Sequence, residues 1–407
     1  MTLMIDNRLT VPGPGLHALI VGVSEYTHLP EPNPVPDPAV GFGMVRLASP
    51  ALSAYRLYQW LERAQAEGEL RLAAPLKTCR LLIAPSALEK AAEPELERIG
   101  VEPPTYHAFS KAARAWRKDA SDDKRNISLF FFSGHGVRTH SEDSVLTMLD
   151  FGDPELEEMR NCVKTSNLQL GMASTQSRPN MAQTQFYFID ACRNMPEQMK
   201  RFAQLDVPPV WTVELNNQSD TRSRPIYFSA APGALAHGRR GMTSYFCEGL
   251  LDGLGRAAES KEDPASPGTE RWVVTPSALG NGITRFVRRT FALSETDFFV
   301  DLRGVQGDSP LVCLDAPPIV DLDIDVQPTD LAGQARIALL DGSTITAGAG
   351  TPAVDLPLNR PKVAMQVRAG PYFLRLRSAR LQRDYVSMLK NIDPTLVTWF
   401  HRIPFTA

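Results

Sequence analysis

Two short stretches, each an apolar run that ends in a reactive side chain, constrain this chain more than any other part of its sequence. They are residues 126–136, which end in Ser-Gly-His-Gly, and residues 185–194, which end in Asp-Ala-Cys-Arg-Asn. A short, continuous apolar run is typical of a strand buried on both faces of a parallel sheet. Because the carboxyl ends of parallel strands lie along one edge of the sheet, we expect His135 and Cys192 to meet there.

The rest of the chain up to residue 314 alternates short apolar strands with amphipathic helices, which indicates an α/β fold with a mostly parallel sheet flanked by helices. Residues 259–269 have low complexity and indicate a loop. The other predicted strands include 17–24, 78–84, 145–150 and 225–231, and the predicted helices include 106–120, 167–173, 243–257 and one that begins at Thr275.

The pattern changes after Pro317 and Pro318. About 90 residues then alternate polar and apolar side chains between Gly, Asp and Pro turns, which predicts a small all-β sandwich. We therefore predict two domains, an α/β domain over 1–316 and a β-sandwich accessory domain over 317–407. Within the first domain, residues 206–224 are polar and poor in helix formers, which indicates an exposed, flexible loop that is prone to cleavage.

Composition excludes several classes of function. The chain has 407 residues, 43% of them apolar, and a net charge of −3, so it has a substantial core and no general attraction for nucleic acid or for an anionic membrane. Its five cysteines are scattered without a Cys-x-x-Cys pair, which argues against a disulfide framework and a zinc site. Without a predicted signal peptide or membrane span, we expect a cytoplasmic protein.

The residue types at the two strand ends suggest nucleophilic catalysis. A thiolate attacks a carbonyl carbon, and an imidazole within reach takes up the thiol proton and later protonates the leaving amine. The backbone N–H groups of Gly136 and Cys192 are candidate donors to the oxyanion, because a glycine lets the backbone approach closely. A buried cysteine alone is more often a small apolar group, so the pairing of the two motifs carries the prediction.

These motifs resemble those of a known family. Residues 131–136 and 188–194 look like the two catalytic motifs of caspase-like cysteine peptidases, especially the bacterial metacaspase-like members. Residues 18–26 resemble the first strand and loop of that family, and 226–231 with 243–250 resemble the strand and helix of its smaller part. The resemblance spans roughly residues 15–315 and implies a caspase-like peptidase fold for the first domain.

The resemblance also implies roles for individual residues. It makes Cys192 the nucleophile, His135 the general base and acid, and Gly136 with Cys192 the oxyanion donors. It further implies that the segment around Ser229 and Ala230 lies along the substrate. With these roles, the chain is expected to be a cysteine endopeptidase that works through an acyl-enzyme and takes protein or peptide substrates.

Asp190, two residues before the cysteine, matches the metacaspase-like aspartate that receives a basic side chain at P1, the substrate residue before the cleaved bond. A carboxylate there favours Arg or Lys through a charge-assisted hydrogen bond. The alternative is that Asp190 only caps the turn after its strand. Arg193 follows the cysteine, and its position makes it a structural or surface group rather than a receptor for an acidic P1 residue.

Regulation, cofactors and partners follow from the resemblance alone. Cleavage in the 206–224 loop, at Arg222 or Arg224 or just before it at Arg201, would activate a chain that is otherwise held inactive, and a bacterial defence role is one expectation. No resident metal is predicted. An acidic cluster leaves calcium dependence open, with a solvated loop as the alternative; its members are Asp150, Asp153, Glu155, Glu157 and Glu158.

Two other classes of function stay open at this stage. One is a catalytically silent caspase-fold scaffold, against which the presence of both His135 and Cys192 argues. The other is a transferase or hydrolase that uses the same pair on non-peptide acyl groups, against which Asp190 argues. The C-terminal β domain is expected to recruit an activating protease, a partner or a substrate, or to cover the catalytic domain.

Overall fold

The computed structural model describes most of the chain and divides it into two compact units. The first unit comprises Met1–Gly253 and Thr275–Val312, and the second comprises Leu254–Val274 and Cys313–Ala407. The described residues are 2–32, 41–66, 70–138, 144–157, 159–201, 206–214, 220–230, 238–264, 266–327, 329, 333–342, 352–378, 384–394 and 398–402.

The secondary structure alternates strands and helices up to residue 291, and the elements named after it in the described residues are strands. The helices are α1 (Pro50–Ala66), α2 (Ala87–Ala92), α3 (Glu95–Arg98), α4 (Tyr106–Asp119), α5 (Thr165–Gly171), α6 (Tyr245–Arg256) and α7 (Pro276–Phe291). The strands are β1 (Leu3–Asp6), β2 (Leu16–Val23), β3 (Leu70–Leu72), β4 (Leu76–Ala84), β5 (Ile127–Ser133), β6 (Gly136–Arg138), β7 (Ser144–Thr147), β8 (Cys162–Lys164), β9 (Thr184–Asp190), β10 (Ile226–Phe228), β11 (Glu259–Glu262), β12 (Glu270–Val274), β13 (Asp301–Arg303), β14 (Val312–Leu314), β15 (Ile319–Gln327), β16 (Ala335–Asp341), β17 (Pro352–Pro357), β18 (Lys362–Arg368), β19 (Gly370–Ser378), β20 (Tyr385–Val386), β21 (Lys390–Ile392) and β22 (Thr398–Arg402).

A seven-stranded sheet forms the centre of the first unit, in the order β1-β4-β2-β5-β9-β10-β13. The five inner strands run parallel, and the two edge strands pair antiparallel to their neighbours. The predicted α/β fold with a mostly parallel sheet flanked by helices is therefore confirmed.

The inner strands form where the sequence offers continuous apolar runs. All eight residues of β2, all nine of β4 and all seven of β5 are buried, as expected for strands covered on both faces. On one face, Trp116 of α4 contacts Phe130 of β5 and Tyr187 of β9, with ring centroids 6.0 and 6.5 Å apart. The indole N–H of Trp116 donates to the carbonyl of His17 at 2.9 Å, so a polar atom in this core is paired.

The described parts of the predicted loop, 206–214 and 220–224, contain no named helix or strand and include both exposed and buried residues. Val207, Val210 and Trp211 are buried in the main core. The indole N–H of Trp211 donates to the carbonyl of Asn167 at 2.9 Å. Val210 and Trp211 attach the segment to Asn167 of α5, which its polar composition did not indicate. Residues 215–219 lie outside the described chain.

Arg222, near the end of the same segment, is also buried, with 2% of its surface exposed. Its guanidinium makes a bidentate pair with Asp220, at 2.7 and 2.6 Å, and donates to the side-chain oxygen of Gln185 at 3.1 Å. A buried arginine is tolerated when its donors are satisfied in this way.

Apart from the end of α6, the elements named in the second unit are strands. In the C-terminal region, β18-β15-β22 form one sheet, and β17-β16-β19-β20 form another, with β21 also paired to β19. Alternate residues of β15, β16 and β19 contribute to one core, including Leu322, Ile324, Leu339, Leu374 and Leu376. This confirms the predicted β-rich C-terminal region, since a shared core is what two packed sheets require.

The unit also takes in residues 254–274, which precede the predicted boundary at 316/317. There β11 and β12 pair antiparallel, where the sequence indicated a loop. Trp272 of β12 packs against the core of the C-terminal strands. The limits 1–316 and 317–407 stay a prediction. No helix within the described ranges has the length and apolar character needed to cross a membrane.

Candidate active site

The two reactive residues follow neighbouring strands. β5 and β9 pair in parallel register, with Ser133 opposite Asp190. The pairing continues beyond the strand ends, where the N–H of Gly134 donates to the carbonyl of Asp190 at 3.2 Å. His135 and Cys192 each lie two residues past this last pair. Both of them, together with Asp190, line one pocket of about 330 Å³.

The His135 ring is held by a backbone carbonyl. Its Nε2 lies 2.7 Å from the carbonyl oxygen of Val45. Because a carbonyl can only accept, Nε2 carries the hydrogen in this bond and the neutral ring keeps an unprotonated Nδ1. Burial lowers the pKa of His135 to about 4, although the bond to Val45 acts in the opposite direction. The ring is therefore neutral at pH 7 and offers Nδ1 as a proton acceptor.

The backbone of His135 is fixed by Tyr26, a residue whose role the sequence did not indicate. The His135 N–H donates to the Tyr26 hydroxyl at 2.8 Å, and the two rings lie 5.1 Å apart. The Thr147 hydroxyl donates to the same Tyr26 oxygen at 3.2 Å. Tyr26 is fully buried, and burial raises the pKa of its hydroxyl beyond its usual range, so the phenol stays protonated.

The Val45 carbonyl depends on an anchored loop. Arg46, the next residue, donates through Nε to the carbonyls of Tyr26 and Leu29, at 3.0 Å each, and pairs with Glu31 at 2.8 Å. The N–H of Leu47 donates to the carbonyl of Ser24 at 2.9 Å. The loop that carries Val45 is thus attached to the segment after β2. Because no side-chain pattern marks a backbone carbonyl as a functional group, Val45 could not be predicted from the sequence.

Gly136 permits a close approach between the two motifs. A Cβ atom at this position would lie 2.7 Å from the Cβ of Ala191 and 2.7 Å from the carbonyl oxygen of Cys192. Any side chain would therefore push the cysteine segment away from the histidine segment. This requirement explains why a glycine follows the histidine.

The direction of the Gly136 N–H follows from the pairing of β6 with β7. The N–H of Thr147 donates to the carbonyl of His135 at 3.1 Å, so in the alternating antiparallel pattern the next residue, Gly136, points its N–H away from β7. Arg138 points the same way, and its N–H donates to the carbonyl of Asn194 at 2.9 Å. The Gly136 N–H therefore lies on the side of the strand that faces the cysteine segment.

Asp190 lies in the pocket wall as a buried carboxylate. Its Oδ2 accepts hydrogen bonds from the hydroxyls of Ser133, at 2.9 Å, and Ser244. Burial raises the pKa of Asp190, and these hydroxyls act against that rise. Asp190 is thus a buried, hydrogen-bonded carboxyl group in a pocket that Arg46 and Arg240 also line.

Arg193 is a structural residue, as the sequence indicated. It is 2% exposed, its Nε donates to the Ser144 hydroxyl at 2.9 Å, and its Nη1 pairs with Asp301 at 2.5 Å. The guanidinium also lies over the ring of Phe228, 3.8 Å from its centroid. These contacts connect the residue after the cysteine to β10 and β13.

Ser229 and Ala230, predicted to lie along the substrate, follow β10 and are buried. The N–H of Ser229 donates to the carbonyl of Ile189 at 3.0 Å, which extends the pairing of β10 with β9. Neither residue lines the pocket that contains His135 and Cys192. The structure therefore brings together His135, Gly136, Asp190 and Cys192, and it leaves the substrate contact of Ser229 and Ala230 a prediction.

The acidic cluster is partly used for local structure. Asp150 accepts from the N–H of Tyr106 at 2.9 Å at the start of α4, and Asp153 accepts from the N–H of Glu155 at 3.0 Å. Glu158 lies outside the described residues. Across the described chain, no three His, Cys, Asp or Glu side chains are grouped so that they could hold a metal ion.

Three of the other four cysteines are more buried than Cys192. Cys79, Cys162 and Cys247 are buried, and burial raises the pKa of each thiol. Cys313 is half-buried, as is Cys192, but lies outside the pocket.

Comparison with known proteins gives one match. A family model described as the caspase domain, Peptidase C14, matches residues 16–266, which is more than half of the chain. No curated protein matches the sequence.

Proposed function

The chain belongs to the caspase-domain family of cysteine peptidases, and on that basis we propose that it is an endopeptidase in which His135 and Cys192 cleave proteins after Arg or Lys. One observation carries the proposal. A cysteine, a neutral imidazole and a buried, hydrogen-bonded carboxyl group line the same pocket at the carboxyl edge of the sheet. Nucleophile, base and a receptor for a cation are thus grouped at one site.

The chemistry follows from the atoms available. Nδ1 of His135 takes the proton of the Cys192 thiol, and Sγ attacks the carbonyl carbon of the substrate. The N–H groups of Gly136 and Cys192 donate to the resulting oxyanion. The protonated imidazole then gives its proton to the leaving amine, and the C–N bond breaks to leave a thioester. A water molecule, deprotonated by the same imidazole, hydrolyses that thioester and restores the thiol.

Asp190 is the proposed determinant of specificity. A buried carboxylate without a cation is costly, and a guanidinium or ammonium group from the substrate would neutralise it. Arg and Lys are therefore favoured over Asp or an apolar residue at P1. The hydroxyls of Ser133 and Ser244 orient the carboxylate before substrate binds.

Activation by cleavage is part of the proposal, with a change in the expected position. Arg222 is buried and paired with Asp220. The N–H of Arg224 is bonded to the carbonyl of Gly304 at 3.2 Å. Because these contacts hold Arg222 and Arg224, Arg201, at the end of the short 3-10 helix Met199–Arg201, is the proposed cleavage residue.

This regulatory step has its own test. The intact chain and an Arg201→Gln variant are incubated and followed by mass spectrometry while peptidase activity is recorded. We expect wild-type activity to rise as the chain is cut after Arg201, and the variant to stay intact and weakly active. Full activity of a chain that mass spectrometry shows to be uncut would refute activation by cleavage and leave the peptidase assignment intact.

The catalytic proposal is tested with short fluorogenic peptide amides that carry Arg, Lys or Asp at P1. The wild type is compared with Cys192→Ala and His135→Ala, and with Cys313→Ala, which removes the other half-buried thiol. We expect turnover after Arg and Lys that is lost in the first two variants and kept in the third. If neither the intact nor the cut protein, with or without calcium, cleaves any of the peptides, the scaffold alternative replaces the proposal.

A further inference from the structure

A second cavity, of about 270 Å³, opens on the first unit beside β10 and β13. Three arginines line it, each from a different segment: Arg193 follows the active-site cysteine, Arg224 precedes β10, and Arg303 ends β13. Side chains alternate between the two faces of a strand, and this explains in part why residues of β10 and β13 meet at the cavity. Ile226 lies opposite Arg303 and Phe228 opposite Asp301, so these side chains share one face of the sheet edge.

The positive charge of this cavity, here called the arginine cavity, exceeds the negative charge that faces it. Asp301 is shared between Arg193, at 2.5 Å, and Arg303, at 2.8 Å. Asp220 is committed to a bidentate pair with Arg222 and lies 3.6 Å from Arg224. Two carboxylates, those of Asp301 and Asp220, are thus paired with four guanidinium groups.

The lining itself contains no compensating group. Among the lining residues that the structure describes, none is a carboxylate. Arg193 is buried, and burial lowers the pKa of its guanidinium, which indicates that Asp301 does not fully compensate the desolvation of this cation. The cavity therefore attracts an anion.

The neighbouring groups favour an oxyanion with several acceptor atoms. Thr165 and Ser166 of α5 also line the cavity. Arg193 is kept in place by the Phe228 ring below it, at 3.8 Å, so its planar donor edge needs little reorganisation on binding. Guanidinium groups from three directions match the tetrahedral oxygens of a phosphate better than the two coplanar oxygens of a carboxylate.

We propose that the arginine cavity is a binding site for a phosphate group, either inorganic phosphate or a small phosphate monoester. The volume admits a phosphate with a short substituent and no large ligand. The site is separate from the pocket that contains Cys192 and does not depend on peptidase activity. It includes Arg193, whose backbone continues directly from the proposed nucleophile.

Calorimetric titration of the full-length chain tests the site, with inorganic phosphate and glycerol 3-phosphate as the two probes. Sodium chloride at matched ionic strength measures non-specific anion binding. Arg224→Gln and Arg303→Gln each remove one guanidinium from a different strand end, and Arg336→Gln, which removes an exposed arginine paired with Asp355, is the matched control. Thermal unfolding shows whether each variant is folded.

We expect saturable phosphate binding that weakens about tenfold or more in Arg224→Gln and in Arg303→Gln and is unchanged in Arg336→Gln, because each lost guanidinium removes a charge-assisted hydrogen bond. Tighter binding of glycerol 3-phosphate than of inorganic phosphate identifies a monoester as the ligand, and the reverse identifies free phosphate. The proposal is overturned if phosphate binds no better than chloride, or if affinity for both probes stays within twofold of wild type in the two folded cavity variants.

Discussion

Replacing Asp190 by Asn isolates the charge of the buried carboxylate from its shape. The hydrogen bonds that Asp190 accepts from Ser133 and Ser244 fall on a single oxygen, Oδ2, and the Ser229 hydroxyl also acts to lower the pKa of this carboxyl. The amide oxygen of an asparagine can accept both, so the side chain can keep its orientation. The variant therefore removes the negative charge and leaves the neighbouring hydroxyls paired.

The expected loss follows from the burial of the site. Removing one partner of a buried ion pair costs about 3–5 kcal/mol. We take the lower end, about 3 kcal/mol, because the asparagine oxygen can still accept one hydrogen bond from a substrate guanidinium. Since 1.36 kcal/mol corresponds to a tenfold change in rate, kcat/KM for a substrate with Arg at P1 should fall roughly 10²-fold.

The assay is a double-mutant cycle across enzyme and substrate. Peptide amides with Arg or with citrulline, its neutral isostere, at P1 are offered to the wild type and to Asp190→Asn. We expect the wild type to prefer Arg by roughly 10²-fold and the variant to prefer it by less than about threefold, since the interaction energy between the two changes measures the charge contact. Asp153→Asn, at a half-exposed carboxylate outside the pocket, should keep the wild-type preference.

Two results would refute this reasoning. If Asp190→Asn retains the wild-type preference for Arg over citrulline, the carboxylate does not contact P1 and serves only to cap the turn after β9. If kcat/KM falls equally for both peptides, Asp190 supports the structure of the site but does not recognise the charge at P1. Either outcome would leave the roles of His135 and Cys192 untouched.

Stability provides an independent readout of the same variant. Because burial raises the pKa of Asp190 in the folded state, the folded chain binds this proton more tightly than the unfolded chain does. The stabilisation that comes from this bound proton is fully present below the pKa that Asp190 has in the unfolded chain. It is lost as the pH rises through the pKa that Asp190 has in the folded chain. Asp190→Asn should therefore unfold at a temperature at least as high as the wild type at pH 7.5, with the difference shrinking toward pH 4.

Three further predictions concern the surroundings of the dyad. Gly136→Ala should lower kcat at least about 10²-fold with an unchanged circular dichroism spectrum, because its Cβ would lie 2.7 Å from two atoms of the cysteine segment; Gly255→Ala, with open space around it, should stay active. Trp211→Ala should destabilise the chain by about 3 kcal/mol in urea and speed trypsin cleavage within 206–224, and an unchanged cleavage rate would mean that Trp211 does not anchor the segment. Because the pKa of His135 is lowered to about 4, kcat/KM should stay high as the pH falls through 6.5 and should drop only near pH 4. A pH–rate profile on a stable substrate would show this.

Much of this architecture could be predicted from the sequence because its signals are local. A continuous apolar run specifies a strand buried on two faces, and the parallel arrangement then places residues after β5 beside residues after β9. His135, Asp190 and Cys192 could therefore be predicted to lie near one another without knowing any distance. The same reasoning placed Arg193 among the structural residues.

What the sequence did not reveal depends on pairing between distant segments. The carbonyl of Val45 reaches His135 across 90 positions and has no side-chain signature. Arg222 was expected to be exposed because it is charged. Its hydrogen bonds with Asp220 and Gln185 offset the cost of removing the guanidinium from water. Trp211 did carry a signal, since a large apolar residue is seldom solvated, but the polar composition around it dominated the prediction.

The described contacts of His135 leave Nδ1 as its atom for proton transfer. Its N–H is bonded to Tyr26, its carbonyl accepts from Thr147, and its Nε2 donates to Val45. The remaining polar atom is Nδ1. A low pKa makes this nitrogen a weak base but makes the imidazolium a strong acid. We therefore expect burial to slow proton removal from the Cys192 thiol and to speed proton donation to the leaving amine. Such a site favours collapse of the tetrahedral intermediate toward the acyl-enzyme over its reversal.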